Sequence, residues 1–304
     1  MTLQQIAVIG AGLMGHGIAQ VFALAGRQVT ITDVVPENLA TAKARIARNL
    51  KDLDLDPTAV ERVTPCSSLA EAVRTADFVV EAAREDLDTK RALFAEIEAH
   101  APAGAILATN TSVIPITAIM AGVKDGARTV GTHWWNPPFL VPLVEVISTD
   151  RTSQATVDAT IALHAEVGKV PVHVKKDVAG FVGNRLQHAL WREAISLIEN
   201  GICDAATVDT VIKASFGRRL AVLGPIENAD LVGTDLTLAI HQTVLKDIES
   251  RPGPSPYLER LVASGKLGMK SGEGFLKWTP EQQQQLRTRV FTHLAAALKD
   301  ERDQ

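Results

Sequence analysis

Cysteine is nearly absent: of 304 residues, only Cys66 and Cys203 carry a thiol, and they lie far apart in the chain. The pair forms neither a disulfide framework nor a metal-ligand spacing, so no metal is expected and both thiols read as reduced, as in the cytoplasm. No apolar run reaches the roughly 20 residues that a membrane-spanning helix needs. The first residues, Met1-Thr-Leu-Gln-Gln, lack a charged stretch followed by an apolar segment, so export is not expected. An excess of positive charge is also missing. The formal net charge is -4, with Lys and Arg scattered, which argues against a nucleic-acid partner or a polybasic membrane surface. What remains is 46% apolar and 22% charged residues, an ordinary globular mixture with length for one large or two medium domains.

The first half alternates short apolar runs with helical stretches. Strands are expected at 6–9, 28–32, 78–82, 105–108, 129–133, 143–147 and 170–174, most of them Val/Ile-rich and almost continuously apolar, as strands covered on both faces are. Helices are expected at 13–25, 37–50, 87–100 and 153–167. That alternation predicts an α/β fold with a doubly wound, mainly parallel sheet. Around Lys175–Asp177 the β-rich runs stop, and 181–200, 205–214, 235–249, 257–264 and 281–303 read as helices. The expected organisation is therefore an N-terminal domain over 1–177 and an all-helical domain over 178–304. Arg251-Pro-Gly-Pro-Ser-Pro256 is an irregular turn within the latter, because prolines so closely spaced cannot continue a helix.

Gly10-Ala11-Gly12-Leu13-Met14-Gly15 follows the first strand and opens the first helix, the context in which a GxGxxG string binds a dinucleotide. Gly10 permits the tight turn, Gly12 the close approach of a pyrophosphate and Gly15 close helix–strand packing, while the helix N-terminus offers amide donors. Read minimally, the same string only lets a helix cross a sheet. Asp33, at the end of the second strand, weighs against that, since a carboxylate there can accept from an adenine ribose diol. Val34, Val35 and Pro36 follow it, so no arginine stands ready for a 2′-phosphate, and NAD is favoured over NADP.

The chemistry centres on Gly131-Thr-His133-Trp-Trp-Asn136-Pro-Pro-Phe-Leu-Val-Pro-Leu-Val-Glu145-Val. Two neighbouring strands can bring an imidazole beside a carboxylate, which fixes the ring's tautomer and stabilises the imidazolium formed when the ring takes a proton. Oxidation of a secondary alcohol needs such a pair, because the hydroxyl proton must leave as hydride moves to nicotinamide. A structural histidine and a surface glutamate are the plain alternative.

These stretches resemble the L-3-hydroxyacyl-CoA dehydrogenase family, from the glycine-rich turn to Gly274-Phe275. The His133 stretch is similar to that family's His–aromatic–aromatic–Asn–Pro signature and Leu-Val-Glu strand. Asp177-Val-Ala-Gly-Phe-Val-Gly-Asn184-Arg resembles its Gly-Phe-x-x-Asn-Arg helix start, and Gly224-Pro with Gly268-Met-Lys270-Ser-Gly-Glu-Gly-Phe275 its C-terminal pieces. The resemblance implies a Rossmann-type N-terminal domain and NAD as cofactor. It makes His133 the general base in oxidation and Glu145 its orienting partner. It has Asn184 hydrogen-bonding the substrate or a catalytic water near the imidazole, Ser112 touching the substrate oxygen and the nicotinamide side, and Glu85, Lys90, Asn110 and Lys270 among the cofactor contacts. It also implies a homodimer joined through the C-terminal helices and a place in fatty-acid metabolism. Simpler roles exist for several of these: Ser112 and Asn184 as helix caps, Glu85 and Lys90 as solvated charges, Lys270 as a turn lysine.

Two departures bear on the substrate. Trp134 and Trp135 stand where acyl-CoA members usually carry phenylalanines. The segment between Asp33 and Ser67 is short and contains the acidic Leu50-Lys-Asp-Leu-Asp-Leu-Asp-Pro57, where acyl-CoA members place a longer, lysine-bearing helical hairpin. The nominal expectation is a 3-hydroxyacyl-CoA interconverted with its 3-oxo form. The alternative is a small free hydroxy acid of the carnitine, gulonate or ring-carboxylate kind. The 6-phosphogluconate/3-hydroxyisobutyrate dehydrogenase group is disfavoured, because it uses a helix lysine where 179–189 holds Asn184 and Arg185 and no lysine. A non-catalytic NAD-binding or crystallin-like protein is a further option.

Overall fold

A computed structural model describes residues 3–303. The elements of the first part are β1 (Gln5–Ile9), α1 (Gly15–Leu24), β2 (Gln28–Thr32), α2 (Pro36–Asp52), β3 (Val63–Pro65), α3 (Leu69–Val73), β4 (Phe78–Glu81), α4 (Leu87–His100), β5 (Ile106–Thr109), α5 (Ile116–Ile119), β6 (Thr129–Trp134), β7 (Leu143–Ile147), α6 (Gln154–Glu166) and β8 (Val170–Val174). They build an eight-stranded sheet in the order β3-β2-β1-β4-β5-β6-β7-β8. All neighbours are parallel except β6 and β7, so the sheet is mainly parallel and doubly wound, as expected. Strand order reverses between β1 and β4, and in such sheets ligands bind at the carboxyl ends of the strands flanking that point.

The period of two that governs strands divides the core into two layers. Ile6 and Val8 of β1 and Phe78 and Val80 of β4 pack with Ile18, Phe22, Ile46 and Leu163 on one face. Ala7, Ile9 and Val79 pack with Phe94, Ile97, Leu107 and Ile116 on the other. Helix α1 is buried from Gly15 to Ala23, which explains its lack of a polar stripe. Asp86 and Ser153 cap α4 and α6, each accepting from the amide three residues on.

Several elements depart from expectation. The three-residue β3 and five-residue α3 carry too little periodic signal to stand out, and α5 is a single turn. Helix α1 starts at Gly15, because the turn from Gly10 occupies the residues before it. Strand β6 runs one residue further, to Trp134.

The later part is helical: α7 (Gly183–Glu199), α8 (Ala205–Ala214), α9 (Pro225–Val232), α10 (Thr234–Val244), α11 (Pro256–Ala263) and α12 (Pro280–Asp303). Helix α7 starts two residues later than expected because Gly180 and Phe181 adopt left-handed conformations, with φ of +74° and +49°. Contacts group the residues up to Arg185 and those from Thr292 onward into one compact unit, and Leu186–Phe291 into a second. Within the second unit Tyr257 packs edge-on against Phe275, at 5.8 Å between ring centroids. Helices α8, α9 and α10 contain no buried residue. No described helix is long and apolar enough to cross a membrane.

Candidate active site

The turn after β1 is shaped by its glycines. Gly10 sits at φ +104°, and a Cβ there would stand 2.6 Å from the Ala82 carbonyl oxygen. A Cβ at Gly15 would overlap the Gly10 carbonyl at 1.7 Å, whereas one at Gly12 would meet nothing within 4 Å. Gly12 thus faces open space, which is what close approach of a phosphate requires. A cavity of about 470 Å³ adjoins the turn, lined in part by Gly10, Gly12, Asp33, Val34, Ser67 and Arg84. Ala11, Leu13 and Met14 complete the turn, with Met14 at the N-cap of α1 and Leu13 largely exposed.

Asp33 has a second task that its position in the sequence does not reveal. Its Oδ2 accepts from the Ala11 amide at 2.6 Å and from Asn38 Nδ2 at 3.3 Å, and its Oδ1 accepts from the Val35 amide at 2.8 Å. One carboxylate therefore ties the end of β2 to the glycine-rich turn while lining the cavity. The open backbone donors, the cavity and the carboxylate fit a dinucleotide.

Along β4 and α4 lies a buried charge network. Glu81 and Lys90 are wholly enclosed, with Lys90 Nζ 2.7 Å and 2.9 Å from the two Glu81 oxygens. The Thr109 hydroxyl donates to Glu81 at 2.6 Å, and Lys90 also lies 3.4 Å from Glu85 Oε2. Lys90 is thus neither a solvated charge nor an open cofactor ligand, since its ammonium is spent on two carboxylates. Glu85 is the open end of the network, and its Oε1 receives the Thr111 hydroxyl at 2.5 Å and the amides of Ser112 and Val113 at 2.9 Å and 3.2 Å. Burial pushes the Glu85 carboxyl up, but the Thr111 hydroxyl, the Lys90 charge and the two amides outweigh it and hold the group below the usual carboxylate range.

His133 and Glu145 stand directly opposite each other in the antiparallel β6–β7 register. Both side chains project to the face that carries Ile147 and Phe181. His133 Nδ1 donates to Glu145 Oε2 at 2.7 Å, and both residues are buried. The other Glu145 oxygen accepts the amides of Val182 and Gly183 at 2.9 Å and 3.0 Å. Burial raises the Glu145 carboxyl, yet the His133 bond and the two amides overcome that penalty and keep it ionised below its ordinary range. Trp135 and Phe181 flank the imidazole, with ring centroids at 5.4 Å and 5.5 Å.

Ser112 and Asn184 meet through the Ser112 carbonyl, which accepts from Asn184 Nδ2 at 3.0 Å. Ser112 itself is exposed. Asn110 Oδ1 accepts from the Trp134 amide at 2.9 Å and so pins the end of β6 beside the β5 loop. His133, Glu145, Ser112 and Asn184, together with Glu85 and Asn110, all belong to the first unit. Lys270 lies in the second, exposed in the turn closed by the Gly268–Glu273 bridge. Among the described residues no group of three or more His, Cys, Asp or Glu side chains is arranged to hold a metal. Sequence reasoning missed Glu81, Thr109, Thr111 and Phe181. The only local hint was a glutamate closing the otherwise apolar Phe78-Val-Val-Glu81 run.

Residues 5–178 match the NAD binding domain of the 3-hydroxyacyl-CoA dehydrogenase family, and residues 180–278 match its C-terminal domain. The 5-formyl-3-hydroxy-2-methylpyridine 4-carboxylate 5-dehydrogenase of Mesorhizobium japonicum is 35% identical over 299 residues, 97% of each chain. The mitochondrial hydroxyacyl-coenzyme A dehydrogenase of Homo sapiens is 37% identical over 292 residues, 91% of each chain. Among solved structures, a 5-formyl-3-hydroxy-2-methylpyridine 4-carboxylic acid 5-dehydrogenase described as an NAD+-dependent dismutase superposes with a TM-score of 0.91 at 34% identity, covering 98% of both chains.

Proposed function

The chain belongs to the 3-hydroxyacyl-CoA dehydrogenase family, whose members are NAD-dependent oxidoreductases, and on that footing we propose that His133 is its acid–base group. The observation that carries the proposal is the buried 2.7 Å contact between His133 Nδ1 and Glu145 Oε2. With Nδ1–H given to Glu145, Nε2 is the nitrogen left to take the proton of a substrate hydroxyl. The imidazolium so formed faces an ionised carboxylate, which stabilises it. Trp135 and Phe181 hold the ring in one plane and keep water from its faces. Ser112 and Asn184 are the proposed hydrogen-bonding groups for the substrate oxygen. NAD, when bound, supplies the hydride acceptor.

The proposed cofactor contacts are the backbone from Gly10 to Gly15, Asp33 for the ribose diol, and Glu85, backed by Lys90, with Asn110 beside it. Lys270 is retained on the family pattern alone. Residues 1–177 are read as the cofactor-binding part and 178–304 as the substrate and dimerisation part. A second copy is proposed to cover the apolar side chains of α7 to α10, among them Leu190, Leu231, Leu236 and Leu238, all exposed in the single chain. The two free thiols fit a cytoplasmic setting.

The proposed substrate is a 3-hydroxyacyl compound, nominally an L-3-hydroxyacyl-CoA, interconverted with its 3-oxo form. A small free hydroxy acid or ring carboxylate is the second reading, favoured by one feature in particular. Helix α2 ends on Asp52 and is followed by a turn carrying Asp54 and Asp56 and then a short 3-10 segment over Pro57–Arg62, a surface poor at meeting nucleotide phosphates. The likeness to the ring-carboxylate enzyme over nearly the whole chain points the same way.

One assay decides between the two: acetoacetyl-CoA against free 3-oxo and 3-hydroxy acids, following NADH absorbance. His133→Ala is expected to lower kcat by about 10²- to 10⁴-fold, with NADH affinity unchanged in a fluorescence titration. Retained turnover in that variant would overturn the assignment.

A further inference from the structure

Behind the glycine-rich turn lies a cation that proton transfer does not use. Arg45, on α2, reaches back so that Nη2 donates to the Ala11 carbonyl at 2.5 Å and the Asn38 carbonyl at 2.9 Å, while Nη1 donates to the Gly12 carbonyl at 3.3 Å. Buried His16, on α1, donates from Nδ1 to the same Gly12 oxygen at 2.7 Å. Burial, aided by the nearby Arg45 charge, holds the His16 imidazole below its usual range, so the ring is neutral and the guanidinium beside it is tolerated.

A trans peptide is planar, so the carbonyl of one residue and the N–H of the next point to opposite sides. With the Ala11 and Gly12 carbonyls drawn toward Arg45, the N–H groups of Gly12 and Leu13 are turned away from it. Neither N–H donates to a protein acceptor among the described residues. A Cβ at Gly12 would find open space, and Leu13 is 67% exposed. The Ala11 amide, by contrast, is already taken by Asp33. The turn is thus held by a carboxylate through one amide and by a guanidinium through two carbonyls.

We infer that Arg45, assisted by His16, is a positioning residue for the cofactor. It locks two peptide planes so that the Gly12 and Leu13 amides stand ready for a pyrophosphate, and it adds a positive charge behind them. A flexible turn would have to be ordered when the phosphates arrive, and this clamp orders it beforehand. The inference rests on reading the Gly10–Gly15 turn as the pyrophosphate site.

The test is calorimetric titration of the wild-type chain and of Arg45→Met, Arg45→Lys and His16→Ala with NADH, ADP and adenosine. Arg45→Met is expected to weaken ADP and NADH by about ten-fold, the worth of a charge-assisted hydrogen bond, and to leave adenosine unchanged. Arg45→Lys, which keeps the charge but cannot span two carbonyls, should recover part of the loss. His16→Ala, which leaves Arg45 in place, should show a smaller loss with the same preference for phosphate-bearing ligands. Equal losses for ADP and adenosine, or an unchanged ADP affinity in Arg45→Met, would overturn the inference. A wild-type chain that binds ADP no better than adenosine would overturn the reading of the turn itself, and the inference with it.

Discussion

At His164 burial sets the protonation state of a ring that takes no part in the chemistry. Its Nδ1 donates to the Thr160 carbonyl at 2.7 Å, and Phe22, Phe78 and Trp134 wall it in. Complete burial, more than the nearby Lys169 charge, lowers its pKa from 6.5 to about 4, against a backbone bond that raises it. The unfolded chain therefore binds a proton between those values that the folded chain refuses. Stability is full above pH 6.5 and falls as pH drops toward 4, by up to about 3 kcal/mol for this one group. Urea unfolding at pH 5 and pH 7 should show the slope, and His164→Met should flatten it. An unchanged slope would place the acid sensitivity elsewhere. Glu145 makes a different demand, since its value lies in charge and geometry together. Glu145→Gln keeps the shape but loses the charge that stabilises an imidazolium, and should lower kcat/KM by at least about 10²-fold, as loss of a tautomer-fixing acid does in other His–acid pairs. The His133–Glu145 pair was legible because both residues belong to one motif. The role of Arg45 was not, because α2 folds it back onto a turn more than 30 residues earlier, while local reading saw only Val34, Val35 and Pro36 after Asp33.

Elements supply what single residues cannot. Strand β4 and helix α4 together enclose the Glu81–Lys90 pair, so Lys90→Met would leave a carboxylate buried without its counter-ion. The expected loss is about 3–5 kcal/mol of stability, measured as a fall in the denaturant midpoint. A variant with native stability and weakened NADH binding would instead make Lys90 a simple ligand. At the start of α7 the backbone is equally constrained. A Cβ at Gly183 would stand 2.4 Å from Cζ2 of Trp135, whose ring lies against His133. Gly183→Ala should therefore depress kcat by about ten-fold or more through the displaced indole, and adding Trp135→Phe, which removes the clashing edge, should restore part of it. Failure of that rescue would argue against the indole as the intermediary. The long strands and helices were readable from their periods. The offset of α7 was not, because a phenylalanine at φ +49° gives no sign of itself in composition.

For the whole molecule, composition and alternation carried the fold class, since nearly continuous apolar strands separated by helices have few other ways to be covered. The division of the chain by contact was harder to foresee, because residues from Thr292 onward group with a sheet that precedes them by more than a hundred positions. The proposed second copy predicts twice the chain mass in light scattering, and Leu190→Glu together with Leu236→Glu should halve it; a monomeric wild-type chain would refute the proposal. Three successive helices without one interior side chain also have a thermodynamic corollary. If their solvent-shielded neighbours come from a twin, their melting is a bimolecular event, and its midpoint must climb as protein concentration rises. In very dilute solution the second unit, Leu186–Phe291, would loosen while the sheet held, and specific activity would decline with dilution alone.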